Sequence, residues 1–161
     1  STLLASSAAS DVYKRQVEVY YNSGQFWHTL EYLVPLEKDA FTFYEKLGSF
    51  YEKKGYSEIS HSRMRRYEIL LEYLQEETDV PTEVAAQKML YDLYLREKLK
   101  KRPAFASDQK QYETAVWNYR KNNQVSKTAH IEVFENGTVI LFDYEKRDPL
   151  SNNAYTEVVQ L

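Results

Sequence analysis

The stretch HIEVFENGTVILFDY, His130 to Tyr144, alternates apolar and polar residues on both sides of Asn136-Gly137. Alternation with a period of two marks strands, and Asn-Gly between two such runs is the strongest short-range hairpin signal. A two-residue turn pairs Glu135 with Thr138 and so sets the register. Ile131, Val133, Ile140 and Phe142 then share one face, which must cover helices, and His130 falls opposite Asp143. A polar loop from Lys146 to Asn153 leads to a third strand near Thr156–Val159. Three strands packed on helices are expected, because a lone hairpin is marginal in water.

Upstream of the hairpin the apolar period is 3.6, not two. Gln25 to Val34 carries Phe26, Leu30 and Leu33 on one side and stops at Pro35. Asp39 can cap a second helix whose stripe is Ala40, Phe43, Tyr44, Leu47, Phe50 and Tyr51, and Gly55 ends it. A third starts from a Ser60 cap, with Met64, Tyr67, Leu70, Leu71 and Leu74 inward. A fourth, from Pro81 to about Lys101, contains MLYDLYL, apolar all round except at Asp92, and reads as the central helix. A fifth begins at Asp108, with Gln111 placed as in a capping box. Val17 to Tyr21 reads as a short β-branched and aromatic run before the turn Asn22-Ser23-Gly24. The expected class is α+β: a bundle of about five helices carrying a small C-terminal antiparallel sheet of three strands. Residues 17–34 form a junction, 38–121 the helical part and 128–161 the β part.

Composition narrows the chemistry. A chain of 161 residues is one domain, or one domain with an appendage. It has no cysteine, which excludes disulfides, thiolate zinc sites, a catalytic thiol and a Cys-held iron–sulfur cluster within these residues. A net charge of -3 argues against a general nucleic-acid binder. No apolar run approaches the roughly 18 residues a membrane span needs, and a cytoplasmic location is expected. The four glycines are too scattered for a phosphate-binding loop, and no metal-ligand spacing occurs. The conspicuous excess is aromatic: 15 Tyr, 7 Phe and 2 Trp. Seven of the tyrosines fall on or beside helix stripes, which suits packing at the core edge.

Residues 1–16, STLLASSAASDVYKRQ, stand apart: small, polar and aperiodic. The composition reads as a disordered tail. SSAASDVYKRQ also resembles the read-through peptide found at the ends of reading frames in environmental sequence assemblies. That likeness implies a bacterial-type metagenomic fragment whose true start lies upstream.

Few groups in the chain could carry chemistry. Among the histidines, His28 lies beside Trp27, His61 at a helix start, and His130 opposite Asp143. An imidazole beside a carboxylate is the pairing that orients a general base, although no nucleophile is placed with it. Arg63, Arg65 and Arg66 crowd a helix start, where the dipole disfavours cations. They call for an acidic face of the same protein or an anionic ligand. Lys98, Lys100, Lys101 and Arg102 are explained as the solvated, dipole-matched end of the fourth helix. Asp92, among apolar residues, is expected to pair with Arg96 one turn on.

Four blocks carry a family resemblance: YYNSGQFWHTLEYL (Tyr20–Leu33), ISHSRMRRYEIL (Ile59–Leu70), YDLYLREKLKKRPAF (Tyr91–Phe105) and LFDYEKRDPLSNNA (Leu141–Ala154). Together they resemble the C-terminal domain, of unassigned function, of cobalamin-binding radical SAM proteins, over about Val17 to Leu161. The resemblance implies missing N-terminal partners in the same chain: a cobalamin domain, and a barrel whose [4Fe–4S] cluster cleaves S-adenosylmethionine. This chain has neither the Cys-x-x-x-Cys-x-x-Cys cluster motif nor the Asp-x-His-x-x-Gly cobalamin signature, so no cofactor-binding residue carries over. The expectation is an accessory domain that packs on the barrel through Val17–Leu33 and shapes its substrate site, without catalysis or cofactor of its own. The alternative is a free-standing helical module that binds an acidic partner or nucleic acid through its basic patches. A self-contained acid–base enzyme using His130 and Asp143 is the third reading.

Overall fold

The computed structural model describes residues 11–161. The class is α+β, with helices followed by a three-stranded antiparallel sheet in the order β1-β2-β3. The described residues divide into two compact units, 11–89 and 90–161, with the boundary inside one helix.

The first unit is helical. Residues 11–16 are α-helical and continue as a π-helical stretch, Val17–Asn22; together these form α1. Then come α2 (Trp27–Leu33), α3 (Ala40–Lys54), α4 (Arg63–Glu77) and the start of α5 (Thr82–Arg96). Asp39 caps α3 by accepting from Thr42 N at 2.7 Å, and Gly55 closes it at φ +74°. The cap of α4 is Ser62, whose Oγ accepts from Arg65 N, and not Ser60. Lys53–Glu77 and Lys54–Glu76 bridge α3 and α4 at 2.6 and 2.9 Å. Phe26 stacks on Tyr67 at 4.1 Å and meets Tyr20 edge-on at 4.7 Å.

Two expectations about the N-terminal region change. Of the expected tail, residues 1–10 lie outside the described ones, but 11–16 are packed. Tyr13 lies 4.9 Å from the Phe41 ring, and Gln16 is buried. The approach depends on Gly48 of α3, where a Cβ would overlap Val12 Cγ1. Val17–Tyr21, read from the sequence only as a β-branched and aromatic run, is helical, so the described residues hold one helix more than the about five expected. Its apolar residues suit a buried helical face as well as a strand, and so short a run does not separate the two.

The second unit holds the end of α5, a short 3₁₀ turn Lys110–Tyr112, α6 (Glu113–Asn122), β1 (His130–Val133), β2 (Val139–Arg147) and β3 (Ala154–Val159). The hairpin forms where expected, but its register is shifted by one residue. Phe134 N donates to Thr138 O and Gly137 N to Phe134 O, which makes Glu135-Asn136-Gly137 a three-residue loop. A type I′ turn needs φ > 0 at both central residues. Here Gly137 has φ +88° and Asn136 is not left-handed; its side chain accepts from Thr138 N instead. His130 therefore opposes Phe142, not Asp143.

That slip redistributes the sheet's side chains. Ile131, Val133, Val139 and Leu141 lie on one face with Val159, packed against Tyr112, Val116 and Tyr119 around α6. Ile140 and Phe142 lie on the other with Phe134 and Ala154, against Leu90 and Tyr94 of α5. The expected single apolar face is in fact two, and the sheet is covered on both sides.

Candidate functional site

Glu132 sits between Ile131 and Val133 in β1, and the alternation turns it toward the α5 side of the sheet, where it is wholly buried. A carboxylate there requires partners. Arg102 supplies them in a fork, Nη1 to Oε1 at 2.7 Å and Nη2 to Oε2 at 3.0 Å. The same guanidinium donates to Tyr94 Oη at 3.1 Å and to Ser107 O at 2.8 Å. His130, two residues before Glu132 and on the same face, donates Nε2–H to Glu132 Oε1 at 2.8 Å. The ring stacks flat on Tyr94, 3.7 Å away.

The electrostatics follow from this packing. The hydrogen bond to Glu132 raises the Arg102 pKa, so its charge is fixed. Burial lowers the His130 pKa against the pull of Glu132, and Arg102 and Arg120 push the same way. Burial also lifts the Tyr94 hydroxyl above its usual range. One carboxylate, one guanidinium and a neutral imidazole balance, and Glu132 uses both oxygens. The geometry holds charge in place rather than moving a proton.

Several expected sites are displaced. Asp143 is not the partner of His130; its carboxylate accepts from Glu145 N at 3.0 Å. Arg96 does not turn to Asp92, which is buried; its Nη1 donates to Ser151 O at 3.1 Å. The run Lys98–Arg102 is not a helix end, because α5 stops at Arg96 and the run is irregular chain leading to Pro103. Lys98 donates to Lys127 O at 2.8 Å, Lys100 and Lys101 are exposed, and Arg102 is the clamp on Glu132. In α4, Arg65 meets Glu72 at 3.2 Å and Glu68 at 3.6 Å, Arg66 reaches Tyr51 Oη at 3.4 Å, and Arg63 lies over the Tyr67 ring. The acidic partner sought for Arg65 is thus on its own helix.

Sequence reasoning brought out Arg102 and His130 but missed Glu132, the group that joins them. The available signal was a lone charge alternating with His130 and Phe134 on one strand face. It becomes informative only in the correct register.

The first unit carries a surface of another kind. Helices α1, α2 and the start of α3 enclose an open, mainly apolar groove of about 480 Å³, with Val17, Tyr20, Leu30, Val34 and Tyr44 among its walls. On its rim Trp27 and Tyr21 are 59% and 55% exposed, and Phe41 and Leu36 nearby are also exposed. Isolated exposed apolar residues are ordinary, but Trp27 and Tyr21 are exposed together on the wall of one apolar groove. Among the described residues no cluster of His, Asp and Glu could hold a metal, and no helix is long and apolar enough to cross a membrane.

Over residues 14–148 the chain matches the family described as protein of unknown function (DUF4080). No curated protein and no solved structure matches it.

Proposed function

The chain belongs to the DUF4080 family, and from that premise we propose that it is an accessory domain of a cobalamin-dependent radical S-adenosylmethionine enzyme. It docks on the catalytic part of the same polypeptide and helps to close the substrate site. The observation that carries the reading is the apolar groove with Trp27 and Tyr21 on its rim. The groove is walled by Tyr13, Val17 and Tyr20, the first described turns of the chain, so a domain that precedes them is tethered beside it. An exposed indole on an apolar surface is the usual anchor of an interface. The parent named in this reading rests on the resemblance of the sequence blocks quoted above; in it the cobalamin, the cluster and S-adenosylmethionine would belong to upstream domains.

The test begins with the source DNA upstream of the Val17 codon. A continuous frame reaching a Cys-x-x-x-Cys-x-x-Cys motif is expected. In that full polypeptide, Trp27→Glu should speed proteolysis between the domains while leaving the circular dichroism of residues 1–161 unchanged. A start codon directly ahead of Ser1 sinks the proposal, and so does S-adenosylmethionine cleavage by residues 1–161 alone after iron–sulfur reconstitution.

A further inference from the structure

The two edges of the sheet are treated differently. Phe134 N bonds Thr138 O, so alternation along the antiparallel ladder turns the amides of His130 and Glu132 toward β2 and those of Ile131 and Val133 outward. That outer edge is closed by side chains. The Gln109 amide accepts from Val133 N at 2.8 Å and donates to Val133 O at 3.0 Å, as a strand residue would, and Arg120 donates to Ala129 O at 2.7 Å.

The same alternation carried across β2 pairs Val139, Leu141 and Asp143 with Val159, Glu157 and Tyr155. The amides of Thr156 and Val158 then face away from the sheet. No described residue bonds them. The strand AYTEVV has one charge and no proline or bulge at its outer side, Val158 is 70% exposed and Tyr155 51%. An open edge with exposed apolar residues is a template for another strand.

We propose that β3 pairs antiparallel with β3 of a second copy of this chain, joining two sheets into one across a twofold axis. This rests on the second unit and is independent of the docking proposed above. Pairing that keeps each face continuous must match residues of equal parity. The register centred on Thr156 sets Thr156 against itself, Ala154 against Val158 and Tyr155 against Glu157. Lys146 lies over the Tyr155 ring at 5.8 Å, so each Glu157 carboxylate meets a Tyr155–Lys146 pair from the other copy. Moving the register by two residues one way opposes Glu157 to its own copy, and like charges directly opposite are destabilising. The other way leaves a shorter ladder.

Sedimentation velocity of residues 1–161 across a concentration series tests the proposal, and a concentration-dependent dimer is expected. Thr156→Pro removes an outward N–H without touching the ladder to β2 and should weaken the dimer at least about tenfold. Val158→Lys, at an exposed position, serves the same purpose if the proline variant does not fold. Glu157→Lys should weaken it too, by setting like charges together. Circular dichroism checks that each variant keeps its fold. A wild-type chain that stays monomeric at every concentration overturns the proposal. So does a dimer indifferent to the folded edge variant or to Glu157→Lys.

Discussion

Glu132 is wholly buried and held by Arg102, Tyr94 lying beside the pair, so removing one partner strands a charge. Breaking a buried pair in this way costs about 3–5 kcal/mol. Arg102→Met should fall near the lower end of that range, because a third of the Arg102 side chain is exposed and water can reach the vacated site. Urea unfolding followed by circular dichroism reads the loss. His130 gives a pH signature. Its folded pKa lies below the ordinary 6.5, so the unfolded chain takes up a proton that the folded chain resists. The stability it contributes is present above about pH 6.5 and is lost as the pH falls through the lowered folded value. His130→Gln should flatten the urea midpoint across that interval. An unchanged slope would mean that the imidazole is not held neutral by this packing.

Among the elements, helix existence was legible and helix ends were less so. Asp39 and Gly55 bound α3 as their chemistry requires, whereas α4 starts from Ser62 and α5 stops at Arg96, well short of Lys101. Lysine and arginine suit both a helix C-terminus and irregular chain, so the run 98–102 did not mark the stop. Helix α1 was missed because a short β-branched and aromatic run fits two periods. Its packing on α3 turns on Gly48. Gly48→Ala improves helix propensity by about 1 kcal/mol, yet its Cβ overlaps Val12. The net expectation is a loss of about 1–2 kcal/mol and faster tryptic cleavage after Arg15. Val12→Ala in the same chain should restore both; cleavage unaffected by Gly48→Ala would show that residues 11–16 do not rely on this contact.

For the whole molecule, the basic patches turn out to be largely occupied. Arg65 is answered by Glu72 and Glu68, the exposed Lys98 by a carbonyl and Arg102 by Glu132, which leaves Lys100 and Lys101 as the exposed cations of their run that are not held by such a bond. Binding to single-stranded DNA should therefore be weak, with a salt slope no steeper than about two phosphate contacts give. Fluorescence anisotropy between low and moderate salt measures it, and a steep slope would revive the interaction-module reading. The sequence by itself determined the α+β class, the order of helices before sheet, the position of the hairpin and the aromatic character of the core. These rest on local periodicity and turn chemistry, which neighbouring residues carry among themselves. Only the tertiary structure decided the register. Asn-Gly fits both a two-residue loop and a three-residue loop with glycine last, and the choice falls to whichever buries both sheet faces. From that single residue of slip follow the partner of His130, the burial of Glu132 and the role of Arg102, because a strand's side chains change face at every step.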